Sequence, residues 1–323
     1  MLTSSVGLIK PGSPSLGQDP FDNHIWYYDG TPAAQVFVAL DYVFPNYANF
    51  SEPDLVLSGP NYGLNLGPFF YSLSGTIGAT YAAIERGIPA IAYSAAYPVQ
   101  TSYQWTNITT AAGFQDPATI TARLAANLAQ EMIDKAKGQR ILPLGYGLSV
   151  NIPYITSFKD DSCVNPPFIL TRMTTGAVIN KATYNAASGL FSTQNIIADG
   201  LSECINGDCK LPGETDVLSS GCYASVSTFT VDYDAPYASQ CKNVSSPYDL
   251  MPSMVQSINS KNLTGGLGEN STVIGGKGSS TTIATTATST STVKRSPAAT
   301  NSGIKVRRPL PDVLVTIMVA VFM

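Results

Sequence analysis

The residues with chemistry to offer lie close together. Asn61, Gly63, Asn65 and Gly67 punctuate a short glycine- and asparagine-rich stretch, and Ser74-Gly75-Thr76 follows it. Gly and Asn accept the backbone conformations that tight turns demand. Ser74 and Thr76 carry hydroxyls of the kind that cap a helix. A helix start leaves N–H groups free and presents the positive end of the helix dipole, which suits an anion such as phosphate. Small residues would let that anion approach the backbone. The same residues also serve as a plain turn followed by a plain cap, because one glycine-rich loop is a weak signal.

The flanking elements decide where such a loop would sit. Asp54 to Ser58 is a short apolar run and reads as a buried parallel strand that opens into the loop. After Thr76, the residues Ile77, Ala79, Thr80, Ala83 and Ile84 follow helical spacing, and Gly87 stands where a helix stop belongs. Ile88 to Tyr93 is a second apolar run. Together these form a βαβ unit with an expected right-handed crossover. In open α/β sheets ligands bind beyond the carboxyl ends of the strands, which is where the loop falls. Upstream, Ile25 to Tyr28 reads as a strand. Thr31 and Pro32 then open a helix over Ala33–Tyr42, with Val36, Phe37, Ala39 and Leu40 turned inward. Downstream, Asp116 and Pro117 open a helix whose Ile120, Leu124, Leu128, Met132 and Ile133 share one face, and Gly138 ends it. Ile141 to Tyr154 is a strand region, and beyond Ser157 the chain becomes β-like and rich in loops.

Three linked motifs resemble those of the SurE family of metal-dependent phosphomonoesterases and nucleotidases, in the form of its fungal acid phosphatase relatives. They are Ser58-Gly59-Pro60-Asn61-Tyr62-Gly63-Leu64-Asn65-Leu66-Gly67, Ser74-Gly75-Thr76-Ile77-Gly78-Ala79, and Gly87-Ile88-Pro89-Ala90-Ile91-Ala92-Tyr93-Ser94. The resemblance runs from about Gly30 to Val231 and thins after Asn151. It implies an α/β fold, with a doubly wound, mostly parallel sheet and a β-rich C-terminal extension. It makes Asn61 a ligand of a divalent metal, Mg²⁺ or Mn²⁺. It makes Asn65, Ser74, Gly75 and Thr76 the phosphate-binding residues. The implied reaction is hydrolysis of nucleotide or other phosphate monoesters, by in-line attack of metal-bound water. Leu148 to Pro153 resembles a family strand that runs out toward the active-site side. Thr215-Asp216, with Gly221 to Ser227, resembles the end of the family's common core, and Asp216 stands open between a catalytic role and a turn or cap. The family exchanges a hairpin between subunits in this half, which implies a homodimer.

The chain also departs from the family. SurE proteins begin with a strand that ends in Asn-Asp-Asp-Gly, and nothing upstream of His24 matches it. The first βα unit is therefore expected to be missing, and no catalytic residue is assigned. Ser4-Ser5 and Ser13-Pro14-Ser15 offer no firm counterpart to the family's serine loop. Asp160-Asp161 reads as part of a solvated loop. One neutral amide, Asn61, cannot hold a hard cation without carboxylates. The alternative reading is a non-enzymatic cell-surface glycoprotein that keeps the fold.

Composition narrows the classes further. The net charge is −4 and only 12% of residues are charged, which argues against a nucleic-acid polymer as partner. The chain has one histidine, His24, so a Ser-His-Asp hydrolase or a His-ligated zinc enzyme is disfavoured. Its five cysteines all lie in the C-terminal half, and Asn-x-Ser/Thr sequons occur at Asn49, Asn107, Asn243, Asn262 and Asn270. Both features favour a secreted, oxidising setting. Cys204–Cys209 and Cys222–Cys241 are the pairings considered, with one thiol left over. Met1 to Gln18 is polar and carries no secretory apolar core. The organisation read from these features is a polar segment at 1–24, a SurE-like domain at 25–245, a Ser/Thr-rich disordered stalk at 246–300 and a GPI-attachment signal at 301–323. In the last, Asn301-Ser302-Gly303 is the attachment site, Ile304 to Asp312 the spacer and Val313 to Phe322 the apolar tail. The partners expected are a small phosphate monoester, a second copy of the chain and, through the anchor, the outer face of a membrane.

Overall fold

A computed structural model describes residues 12–48, 50, 52–97, 108–204, 208–233 and 252–257. Of these, 12–233 belong to one compact unit and 252–257, a short helix, to a second. All five sequon asparagines, Ser4-Ser5, Cys241, nearly all of the Ser/Thr-rich stalk and the C-terminal apolar tail lie outside the described residues.

The first element is a hairpin, β1 (Leu16–Gln18) antiparallel to β2 (Trp26–Tyr28), which bridges the boundary placed at residue 24. The helix α1 (Pro32–Val38) follows, with the Thr31 hydroxyl accepting from the Ala34 N–H and Pro32 in the first turn. A π-helical turn over Ala39–Val43 and a short α2 (Phe44–Tyr47) continue it. Val36 and Leu40 are buried as expected, but Phe37 is not. The run from Val36 to Leu40 offers more apolar side chains than one helical stripe can turn inward, and Phe37 falls on the outer side.

The main sheet is built from β3 (Val56–Tyr62), β4 (Ala90–Ala95), β5 (Tyr146–Ile152), β6 (Phe168–Thr171) and β9 (Ala224–Thr230), in the order β3-β4-β5-β9-β6. β3, β4 and β5 run parallel, β9 is antiparallel to β5, and β6 is parallel to β9. The mostly parallel α/β sheet is as expected. Among the described residues no strand pairs with the outer edge of β3.

Side chains alternate between two apolar layers, which is why these strands read as continuous apolar runs. Val56, Ala90 and Ala92 face the layer of α1 and α4 (Gly75–Glu85). Leu55, Leu57, Ile91, Tyr93, Val150 and Ile152 face α5 (Pro117–Ala136), through Ile120, Leu124, Ala125 and Ala129. Asp116 caps α5 by accepting from the Thr119 N–H, and Lys137 and Gly138 close it in left-handed conformations. At the end of α4, Gly87 has the positive φ of a helix stop.

Three expectations are corrected. β3 runs through Asn61 to Tyr62 instead of yielding to a loop after Ser58, because pairing with β4 resumes beyond a bulge. A helix not anticipated, α3 (Gly67–Leu73), fills the interval before Ser74. Cys222 bonds to Cys163, not Cys241, while Cys204–Cys209 closes the small loop as read. Beyond the sheet, β7 (Asn180–Asn185) and β8 (Leu190–Asn195) form a separate, largely exposed hairpin, and α6 (Glu214–Ser219) packs on β9, β5 and β6.

Candidate active site

The bulge in β3 creates the site. Ser58 pairs with Ala92 and Asn61 with Ser94, so three steps on β3 match two on β4. In a regular strand a three-residue step would send Asn61 to the opposite face. The bulge returns it to the face of Ser58, above the start of α4. Gly59 makes this possible: its φ is +101°, and a Cβ there would collide with the Tyr93 carbonyl. Asn61, Ser94 and Asn151 then lie in one row across β3, β4 and β5. That row stands at the carboxyl ends of three parallel strands, where open α/β sheets bind ligands.

Asn61 is the hub of the row. Its Oδ1 accepts from the Asn65 amide at 3.0 Å, the Ser94 hydroxyl at 2.7 Å and the Thr76 hydroxyl at 3.2 Å. Its Nδ2 donates to the carbonyls of Tyr62 and Gly63. The second Asn65 amide proton goes to Ser94 Oγ at 2.6 Å. Asn151, fully buried, grips the Asn65 backbone from both sides: Oδ1 accepts from its N–H at 2.8 Å, and Nδ2 donates to its carbonyl at 3.2 Å.

Asn61, Asn65 and Thr76 thus meet in one cluster. Ser74 and Gly75 join them through the chain. Ser74 is the N-cap of α4 and accepts from the Ile77 N–H at 3.2 Å. The N–H groups of Gly75 and Thr76 in that first turn have no acceptor within the helix. Because the Asn65 amide is engaged inside the cluster, the donors left for an incoming anion are these N–H groups and the Ser74 hydroxyl. Sequence reading did not single out Ser94 or Asn151 as site residues. Their signal was a polar side chain at the end of an otherwise apolar strand.

A divalent cation fits this donor set poorly. Around Asn61 stand only neutral amides and hydroxyls, and its Oδ1 already takes three donors. Among the described residues there is no group of three or more His, Cys, Asp or Glu side chains able to hold a metal. Asp160 lies exposed and accepts from the Ser162 N–H and hydroxyl, which hold its carboxyl below the usual range. Asp216 sits in the first turn of α6, its carboxylate against Gly176.

A second cluster lies beneath the loop, and sequence reading missed it. Glu214 is wholly buried. Its Oε1 accepts from the Gly67 N–H at 2.6 Å, and its Oε2 accepts from the Ser227 hydroxyl, also at 2.6 Å. Ser227 in turn meets Thr171 at 2.8 Å. Burial raises the Glu214 carboxyl to about 7, against the opposing pull of its two hydrogen bonds.

The sequence comparisons with known proteins agree on one family. The model of the family "Survival protein SurE" matches residues 4–178. An acid phosphatase of Yarrowia lipolytica is 44% identical over 236 residues, covering 72% of this chain and 64% of that protein. A 5′-nucleotidase SurE of Prochlorococcus marinus is 36% identical over 128 residues, covering 40% of this chain and 38% of its own length. The matched region thus spans less than two thirds of each of these relatives. The crystal structure of a SurE protein from Aquifex aeolicus aligns with a TM-score of 0.47 at 20% identity, over 79% of this chain and 83% of that one.

Proposed function

The chain belongs to the SurE family, and from that premise we propose that it is a phosphomonoesterase acting on nucleotides or other small phosphate monoesters. The supporting observation is the row of Asn61, Ser94 and Asn151 at the carboxyl ends of β3, β4 and β5, set against the first turn of α4. A monoester phosphate would bind against the Gly75 and Thr76 N–H groups and the Ser74 hydroxyl, with Asn65 holding the loop in register. Those donors would stabilise charge on the equatorial oxygens during in-line displacement, where positioning and electrostatics carry most of the catalysis. The family resemblance assigns a divalent cation, Mg²⁺ or Mn²⁺, to Asn61. The described residues lack the carboxylates to hold it, so no step is drawn through a metal.

The test is hydrolysis of p-nitrophenyl phosphate and of a 5′-nucleotide, with and without Mn²⁺. Metal-dependent turnover that Asn61→Ala abolishes supports the proposal. No turnover from a folded sample in either condition would defeat it.

The neutral donor set favours one second reading, a cell-surface glycoprotein that keeps the fold without hydrolysis. For either reading we propose a secreted or cell-surface setting. The Cys163–Cys222 and Cys204–Cys209 bonds support that setting, since disulfides persist in oxidising compartments. A homodimer would bury the β7–β8 hairpin, which leaves Phe191 73% exposed and is too small to be stable alone.

A further inference from the structure

The one wholly buried carboxyl among the described residues is not in the candidate site but under it. Glu214 lies 147 residues from Gly67 in the chain, and its Oε1 closes on the N–H of Gly67 at the foot of the loop. Two residues earlier Asn65 is clamped by Asn151 and feeds Asn61. Gly67 has φ +79°, and a Cβ there would collide with that of Ala177, so the loop foot accepts only glycine.

Among the described residues no cation answers the Glu214 charge. From α3 it faces Tyr71, whose phenol is raised first by burial and then by the Glu214 charge itself. From β9 it faces Ser227, and behind that Thr171 of β6. Its own helix adds Asp216, an acid. Arg172 lends its backbone carbonyl to the Glu214 N–H, but its guanidinium is engaged by the Leu211 carbonyl and the Thr174 hydroxyl.

The hydroxyl pair allows the carboxyl to hold either charge state without losing its grip. When Glu214 is ionised, Ser227 donates to Oε2 and Thr171 donates to Ser227. When it is protonated, Oε2–H donates to Ser227 and Ser227 donates to Thr171, while Gly67 donates to Oε1 throughout. Both hydroxyls can act in either sense.

We propose that Glu214 is a positioning residue that fixes the foot of the glycine-rich loop and, through its own proton, sets how strongly the site beside that loop holds an anion. The inference rests on the phosphate-binding reading of Ser74, Gly75 and Thr76. An unpaired negative charge under the loop opposes a second negative charge on it. Proton and anion therefore bind with positive cooperativity, and by linkage each strengthens the other. The raised carboxyl places this switch near neutral pH.

The experiment measures binding of sulfate, a tetrahedral dianion whose own charge is constant in this range, by calorimetry at about pH 5 and about pH 9. The wild type should bind roughly tenfold more tightly at the lower pH. Glu214→Gln should match the acidic wild type at both, because its amide keeps both hydrogen bonds without the charge. Glu214→Ala should lose amide-exchange protection at Gly67. Equal sulfate affinity at the two pH values, or pH dependence retained in Glu214→Gln, overturns the inference and leaves the site reading intact. If the wild type binds sulfate at neither pH, the phosphate reading itself falls, and unchanged Gly67 protection in Glu214→Ala would then overturn the positioning role as well. Should Glu214→Ala fail to fold, the wild type and Glu214→Gln carry the test alone.

Discussion

Two polar clusters share one face of the same sheet, and they solve burial in opposite ways. The Asn61 cluster, under the outer rim, is built from amides and hydroxyls with no ionisable group in it. The Glu214 cluster, deeper, has one ionisable acid and two hydroxyls. Neutral groups can satisfy one another in a low-dielectric setting at little cost, so the first cluster should behave alike at every pH. A lone buried carboxylate resists ionisation, so the second should respond to pH. The difference assigns rigidity to one cluster and responsiveness to the other.

The harshest way to break the comparison is at the bulge. Gly59→Val places a β-branched side chain at positive φ and against the Tyr93 carbonyl. The expected loss is on the order of 4 kcal/mol, or failure to fold, and it would remove Asn61 from the row along with the stability. Urea unfolding and sulfate binding measured together would show both. A variant that keeps native stability and anion affinity would mean that the bulge does not position the site.

Next in size is Asn151→Leu, which strips both hydrogen bonds from the buried Asn65 backbone. Two unsatisfied buried groups should cost about 3 kcal/mol. Since no charge is involved, the loss should be the same at acidic and alkaline pH. A loss that grew with pH would show that the neutral cluster also senses ionisation.

The Glu214 cluster should show the contrary pattern. Its carboxyl moves from a reference value of 4.5 to about 7 in the folded chain. A raised folded value means the native state binds the proton more tightly than the unfolded chain does. The stabilisation is therefore fully present below about 4.5 and is lost as pH rises through about 7. The span corresponds to about 3 kcal/mol between the two limits. Chemical unfolding of the wild type and Glu214→Gln across that range is the check, and a wild-type slope no steeper than the variant's would refute it.

How much of this was legible follows the same division. The helix caps at Thr31, Ser74 and Asp116 are local hydrogen bonds written in neighbouring residues, and the structure makes each of them. The parallel pairing of β3 with β4 followed from two apolar runs around one helix. Asn61, Asn65 and Thr76 were legible because a motif held them within sixteen residues. The bulge was not, since Gly59-Pro60 is turn chemistry by composition and becomes strand only because β4 takes up pairing again. Glu214 was the least legible. An acid in the first turn of a helix is ordinary and usually exposed, and the family resemblance singled out Asp216, two residues on, instead. Only the docking of α6 on β9 and on the foot of the loop buries one and not the other. Cys163–Cys222 was hidden for the same reason, with 59 residues between its ends.

The smallest predicted effect is also the finest probe of the neutral cluster. Ser94 is 1% exposed, and its hydroxyl both accepts from Asn65 and donates to Asn61 Oδ1. That oxygen has two lone pairs and three donors, so it stays satisfied by Asn65 and Thr76 when Ser94→Ala removes one. What remains unpaired is one Asn65 amide proton. The expected loss of stability is about 1 kcal/mol, equal at acidic and alkaline pH. The freed proton points at the place the Ser94 hydroxyl leaves, inside the buried cluster, so sulfate affinity should hold while stability falls. Parallel loss of both would mean that Ser94 itself touches the anion, and that the neutral cluster is part of the binding surface as well as its support.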